Sequence, residues 1–325
     1  MNYDPADQEQ SENPVGRADP QDPLVTVVIP THNRPHLADR AIDSALAQSV
    51  GNIDVILVDD GSEPPFRSER EDPRLVIVRC ETPKGVCAAR NVGLAEARGK
   101  WITFLDDDDE LRPEMVERAL QAADQSSLPA PVAVLSAMAL VDPEGLITRV
   151  RYPVTLPRGK HYFLEEHQPG SYQTHNSLIA PTNVFRAIGG WDELMRGSEH
   201  DDLFLRLNAA CSIQGVAEAT YRHWEHQGPR LHVHMRHRAE AMERTLRKHR
   251  GAFRQHPRKA AHYMATMGAT YLRSGAWLAA IRWTSQALLT RPEARYLRWF
   301  AASLAGPRVL ALVRWLRDRR RGPVA

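Results

Sequence analysis

Cysteine is scarce in this sequence: Cys80, Cys87 and Cys211 are the only three in 325 residues. They show no paired spacing and no accompanying metal-ligand pattern, which excludes a disulfide scaffold and a cysteine zinc module and fits a reducing cytosol. No apolar run approaches the roughly 18 residues needed to span a bilayer. Residues 1–22 are acidic and polar and lack the apolar stretch of a secretory signal, so they are expected to form a disordered leader. The loop Pro30-Thr31-His32-Asn33-Arg34-Pro35, which follows the first apolar segment, has no glycine. That argues against a glycine-rich loop cradling a triphosphate. An excess of one charge is also missing overall, at net +2, but not locally. From Arg222 onward there are 22 Lys and Arg against 5 Asp and Glu, which leaves the preceding part near −15. An acidic front and a basic tail suggest two jobs.

What is present centres on Trp101-Ile102-Thr103-Phe104-Leu105-Asp106-Asp107-Asp108-Asp109. The short apolar run predicts a buried strand of a parallel sheet, and four carboxylates stand at its carboxyl end, where ligands of open α/β sheets bind. Four like charges side by side call for solvent or a cation, and an all-oxygen donor set suits Mg2+ or Mn2+ rather than zinc. The competing reading is an acidic loop capping a helix that starts near Pro113.

The pattern predicts strands at 24–30, 54–58, 74–78, 101–105, 132–136 and 177–180, with helices at about 36–49, 86–97 and 113–124. Asn33 or Thr31 is expected to cap the first helix. The second strand also ends in carboxylates, Asp59-Asp60. The expected architecture is an α/β/α sandwich with a mainly parallel sheet, with both acidic strand ends opening on one edge. Region 142–175, with turns at Asp142–Gly145 and Pro157–Gly159, is expected to border an acceptor site. From about 237 the chain reads as helical, and 263–292 looks like one helix-turn-helix unit of tetratricopeptide type. The last helix, 308–321, combines apolar residues with a dense cationic end; it is either an anchor on an anionic membrane surface or a solvated basic tail.

Taken in order, Val27–Arg34, Val58-Asp59-Asp60-Gly61-Ser62, Ala89-Arg90-Asn91-Val92-Gly93-Leu94, Phe104–Asp109 and Gly189-Gly190-Trp191-Asp192-Glu193 resemble the family 2 glycosyltransferases of the GT-A fold. The resemblance covers about 24–230 and implies a Rossmann-like GT-A domain over 23–236, followed by a helical region over 237–325. It implies an inverting enzyme that moves a sugar from a UDP-, dTDP- or GDP-linked donor to a saccharide or lipid-linked acceptor in surface-polysaccharide or glycolipid synthesis. On that resemblance Asp106 and Asp108 hold Mn2+ or Mg2+, and Asp107 meets the ribose. Asp60 reads the nucleobase, Pro30 and His32 line the base pocket, and Arg90 lies near the nucleotide. Trp191 and Asp192 belong to the acceptor side. The family's Glu-Asp pair at the late helix start is replaced by Glu199-His200-Asp201. Asp201 is the first choice for the base, His200 the second and Glu199 the third. His226 is the candidate histidine for the metal or diphosphate. His232, His234 and His237 follow it at spacings that mix faces and come without cysteine, which does not suit a zinc cluster.

The implied localisation is cytoplasmic, with 308–321 as the candidate contact to the inner membrane face, and no nucleic-acid partner is expected. A prenyl-diphosphate motif is excluded because those acidic runs lie within helices. The remaining alternative is a degenerate transferase-like scaffold in a membrane polysaccharide assembly, motivated by the altered Glu-Asp pair and the basic tail.

Overall fold

The computed structural model describes residues 23–167, 170–225 and 235–306. The expected leader at 1–22, the basic helix at 308–321, and His226, His232 and His234 lie outside the described residues.

β1 (Val25–Thr31) is buried at every position and serves two cores by simple alternation. Val25, Val27 and Ile29 join Ala38 and Ile42 of α1 (Pro35–Leu46) and Val116 of α3 (Met115–Asp124). Val28 turns the other way, to the cluster holding Leu94 of α2 (Val86–Glu96), Phe185 of α4 (Thr182–Ala187) and Phe204 of α5 (Glu199–Ala210). β2 (Ile53–Asp60) repeats the scheme, with Val55 and Leu57 on one side and Ile56 and Val58 on the other. Strands buried on both faces show no polar alternation, which is why they read as continuous apolar runs. The contact between α2 and β1 is close: a Cβ on Gly93 would stand 2.3 Å from Val28 Cγ1. This seats the amino end of α2 beside the strand tips.

The remaining strands are β3 (Leu75–Cys80), β4 (Trp101–Phe104), β5 (Glu110–Leu111), β6 (Val132–Val141), β7 (Ile147–Pro153), β8 (Ser171–Tyr172), β9 (Leu178–Pro181) and β10 (Ser212–Trp224). The sheet runs β3-β2-β1-β4-β9-β6-β10-β5, with β7 added on β6. The first four are mutually parallel, as are β6 and β10, while β9 and β5 run antiparallel to their neighbours and β7 lies antiparallel to β6 and parallel to β8. The mainly parallel α/β sandwich expected from the pattern is therefore found.

Two local readings need correction. Neither Asn33 nor Thr31 caps α1, which begins at Pro35 without a side-chain cap. Asn33 instead adopts φ 57° and its Oδ1 accepts the Glu63 N–H, while Thr31 Oγ1 donates to Asp107 at 2.8 Å. Both side chains stitch loops of the sheet edge together. The second correction is β10, the 13-residue strand that no apolar run announced. Its sequence mixes Gln214, Gly215, Glu218 and Arg222 with apolar residues, and register shifts interrupt its pairing with β6.

The helical region comprises α6 (Met235–Lys248), α7 (Arg250–Gln255), α8 (Pro257–Arg273), α9 (Trp277–Thr290) and helical residues 294–306. α8 and α9 are the anticipated helix pair, turning at Gly275 (φ 82°). This region is packed onto the sheet domain. Ala241 of α6 belongs to the core under β1, and Leu164 and Leu205 belong to the core of α6–α9.

Asp202 of α5 anchors the junction, accepting from Arg206 at 2.6 Å, Lys248 Nζ at 3.1 Å and His249 Nε2 at 2.7 Å. Burial would raise its carboxyl, but His249, Arg206 and Lys248 outweigh that and hold it far below the usual carboxylate range. A depressed folded value gives stability that is complete above the unfolded pKa near 4 and is lost as pH falls through the folded value. Asp202→Asn should therefore lower Tm at pH 7, by on the order of 2–3 kcal/mol in stability. Thermal melts should show that deficit shrinking as pH falls below about 4; a deficit independent of pH would mean the charge is not what Asp202 contributes.

Candidate active site

At the carboxyl ends of β1 and β4 lies a cavity of about 760 Å³. Pro30 and Arg34 come from the β1–α1 junction, Lys84, Gly85 and Val86 from the start of α2, and Asp106–Asp108 from the tip of β4. Segment 172–176 and segment 195–200 complete the wall. Parallel strands and their following loops place ligands at this end of an α/β sheet.

The four carboxylates after β4 have different jobs. Asp106 lies 2.6 Å from Arg90 Nη2 and accepts from Asn176 Nδ2 at 3.0 Å. Burial would raise its carboxyl, yet Arg90 and His175 outweigh burial and hold it well below the usual range. At Asp107 burial wins and pushes the carboxyl up to about 7, against the pull of Arg34 at 2.6 Å and of Thr31. Asp108 pairs with Arg34 Nη1 at 2.9 Å, and its backbone carbonyl accepts from Arg40 at 2.7 Å. Asp109 has no exposure and takes three partners from β10: Tyr221 OH at 2.7 Å, His223 Nδ1 at 2.9 Å and the Trp224 N–H at 3.0 Å.

Oxygens of Asp106, Asp108 and Asp109 lie within 4.8 Å of one another. An all-carboxylate donor set at that spacing fits Mg2+ or Mn2+. Asp106 and Asp108 line the cavity, whereas Asp109 is committed to β10.

Arg90 is 2% exposed and was missed as a hub. It reaches Asp106, Glu199 Oε1 at 3.3 Å and His175 Nε2 at 2.8 Å, and its guanidinium sits 4.5 Å above the Trp191 ring. One side chain thus ties α2, the tip of β4 and the start of α5 together. Arg34, His175, Asn176 and His223 were likewise missed as cavity residues. The signal that could have found Arg34 is its place directly after the first strand, in a loop facing four carboxylates.

Other expected site residues are placed differently. Asp60 does not line the cavity: its two oxygens accept the backbone N–H groups of Lys84 and Gly85, both at 2.8 Å. A carboxylate at a helix amino terminus satisfies orphan donors and the dipole together. His32 is exposed, and its Nδ1 lies 2.7 Å from the Asp60 carbonyl oxygen. Pro30 does line the cavity. Trp191 is 2% exposed and packs edge-on against Phe104 and His175, so it forms the floor beneath Arg90 rather than an acceptor surface. Asp192 turns to Arg244 Nε at 2.9 Å and Lys248 Nζ at 3.1 Å of α6.

At the start of α5, Ser198 is left-handed (φ 52°) and the helix has no side-chain cap. Glu199 and His200 line the cavity; Asp201 does not. Arg90, with His175 and His200, outweighs burial at Glu199 and brings its carboxyl down to about 2. Asp201 is 8% exposed and accepts from Tyr263 OH of α8 at 2.9 Å. Burial raises its carboxyl.

Residues 26–161 match the family described as glycosyl transferase family 2. The succinoglycan biosynthesis protein ExoO of Rhizobium meliloti is 39% identical over 105 residues, covering 31% of this chain and 30% of that protein. An uncharacterized glycosyltransferase of Haemophilus influenzae is 34% identical over 199 residues, 57% of this chain and 62% of its own. The chain therefore spans between 30% and 62% of the length of these relatives. In fold it is similar to S. aureus TarS 1-349, crystallised in complex with UDP-GlcNAc, with a TM-score of 0.54 and 18% identity over 86% of this chain and 79% of that one. Strand-tip carboxylates, the ordered motifs and these likenesses agree: residues 26–161 match glycosyl transferase family 2, and the fold is similar to that of the UDP-GlcNAc-bound TarS structure.

Proposed function

We propose that this chain transfers a sugar, with inversion, from a nucleotide-diphosphate donor to a hydroxyl acceptor, in the assembly of a surface polysaccharide or glycolipid. The observation that carries this reading is the cavity wall itself, where Asp106–Asp108, Arg34, Arg90 and the amino end of α2 face one space with His200. A divalent cation held there by Asp106 and Asp108 would supply charge neutralisation for a diphosphate leaving group. Pro30, Pro83, Lys84 and Gly85 offer the nucleoside side, with Asp60 acting from behind by shaping the Lys84–Gly85 turn. Asp107, held by Thr31 and Arg34, is placed to meet the ribose. The role in polysaccharide synthesis draws on ExoO. No helix among the described residues is long and apolar enough to cross a membrane. The cationic residues of 308–321 would suit an anionic membrane face as a second partner.

Gln173 adds a sharper expectation. It is 5% exposed, lines the cavity, and neither its Oε1 nor its Nε2 has a hydrogen-bond partner among the described residues. A buried amide left without partners is costly, so a polar ligand with both donors and acceptors, such as a sugar hydroxyl pair, suits it. Gln173→Leu should raise the donor KM about tenfold while sparing Tm, because lost hydrogen bonds to ligand cost about 1–1.5 kcal/mol. An unchanged KM in steady-state assays would remove Gln173 from donor recognition.

The reading is tested by thermal shift with UDP, dTDP and GDP and their sugar derivatives, each with and without Mn2+. Binding to the folded state alone raises stability by about 2.7 kcal/mol at a hundredfold excess over Kd. A metal-dependent shift with one nucleotide supports the transferase and identifies its donor class. A folded protein that shifts with none of them would instead be a transferase-like scaffold.

A further inference from the structure

Resting on the transferase reading above, we propose that its base is a His200–Asp201 dyad positioned by Tyr263, so that the helical region completes the active site. The residues form one line from cavity to helical core. The His200 side chain is 36% exposed and lines the cavity, and its Nε2 lies 3.2 Å from Asp201 Oδ1. Asp201 is walled off from the cavity, and its other oxygen, Oδ2, accepts from Tyr263 OH at 2.9 Å. Tyr263 is itself fixed in the α6–α9 core, its ring 5.0 Å from that of Phe253.

Each neighbour has a reason to be where it is. Glu199 is engaged by Arg90, and a carboxyl brought down to about 2 is a weak proton acceptor. Asp201 does not line the cavity, but a carboxylate beside one imidazole nitrogen selects the tautomer and stabilises the imidazolium. With Nε2 turned to Asp201, Nδ1 is the nitrogen that accepts the proton. Tyr263 occupies the oxygen that would otherwise be a buried acceptor without a donor, and it fixes the carboxylate's orientation. The charged groups around the dyad are Glu199 on α5 and Arg238 on α6; His237 of α6 and Arg196 share the cavity wall.

In the step, the acceptor O–H bond breaks and its proton passes to His200. The oxygen's electron pair forms the new bond to the anomeric carbon. The bond from that carbon to the diphosphate oxygen breaks, and its electron pair leaves with the nucleoside diphosphate. Tyr263 touches no reacting atom and is a positioning residue.

The test uses the full chain and the nucleotide-sugar giving the largest thermal shift, with release of the nucleoside diphosphate followed across pH. His200→Ala should lower kcat by about a hundredfold or more, within the range of general-base contributions. Asp201→Asn should lower kcat about thirtyfold and move the acidic limb of kcat/KM to lower pH, because the imidazolium loses its counter-charge. Tyr263→Phe should lower kcat about five- to tenfold with donor KM unchanged, and move the limb to higher pH, because Asp201, relieved of one donor, holds the imidazolium more strongly. Limb shifts of opposite sign are something a purely structural role would not produce. If Tyr263→Phe no longer binds nucleotide and melts early, Asp201→Asn carries the test by itself. An active wild type with both variants unchanged in kcat and pH profile overturns the dyad and leaves the transferase reading standing. A wild type inert toward every donor overturns both.

Discussion

Asp108→Asn is expected to reduce transfer by about a thousandfold and to remove the metal-dependent part of nucleotide binding, with Tm nearly unchanged. The size follows from the proposed role of the carboxylate: with Asp106 it would hold the cation that neutralises charge growing on a leaving diphosphate, where loss of one well-placed electrostatic partner costs about 10²–10³-fold. The stability part follows from its surroundings. Asp108 is partly open to solvent, and Asp106 and Asp107 stand beside it, so removing its charge relieves repulsion as well as loosening Arg34. Asp109, one residue on, behaves in the opposite sense. It is fully buried and bonded to Tyr221, His223 and Trp224, so Asp109→Asn should lower Tm and disturb β10. Turnover measured with the donor found by thermal shift, and UDP titrations with and without Mn2+, separate the two cases. Full activity in Asp108→Asn would remove the metal site from the mechanism.

How far the sequence could be read depended on whether a residue's environment is local. β1, β2 and β4 were legible because burial on both faces leaves an unbroken apolar run, and the acidic tip of β4 stands out without any tertiary knowledge. β10 was not legible. Its apolar residues are interrupted by Gly215, Glu218 and Arg222, and what holds it is pairing to β6 and to the two-residue β5. With β10 went the role of His223, since its partner Asp109 is 114 positions away.

The same limit governs the site. Ordered motifs brought Asp106–Asp108, Arg90 and Glu199–Asp201 into one neighbourhood, but side-chain direction within it depends on partners far along the chain. Asp201 was the first choice for the base because the family pattern places an aspartate within one residue of that position. Tyr263, 62 positions later on α8, draws it away from the cavity. The resemblance put Trp191 on the acceptor side, whereas Arg90 and His175 cover it. The resemblance gave Asp60 to the nucleobase; the turn that opens the helix at Val86 uses both its oxygens.

Arg90→Met has the largest expected effect on stability. The guanidinium is enclosed, and although burial opposes its charge, Asp106 and Glu199 outweigh that and raise its pKa. Methionine fills similar volume but leaves two carboxylates facing each other without a counter-charge. Removing one partner from a buried ionic network costs about 3–5 kcal/mol, or on the order of 10 °C in Tm. Arg90→Lys keeps the charge but not the fork that spans Asp106 and Glu199, so its loss should be intermediate. The pH dependence has a fixed sign. Glu199 is held at about 2 in the folded protein, so its pairing stabilises fully above the unfolded value near 4 and is lost as pH falls toward 2. The Arg90→Met deficit should therefore be largest at neutral pH and shrink in acid. Mn2+ should also recover part of the lost Tm, more than it adds to wild type, because a cation beside Asp106 replaces some of the missing positive charge. Melts across pH, with and without Mn2+, read all three effects. An Arg90→Met protein as stable as wild type would show that the junction of α2, β4 and α5 is held by its apolar core, with the ionic hub adding nothing.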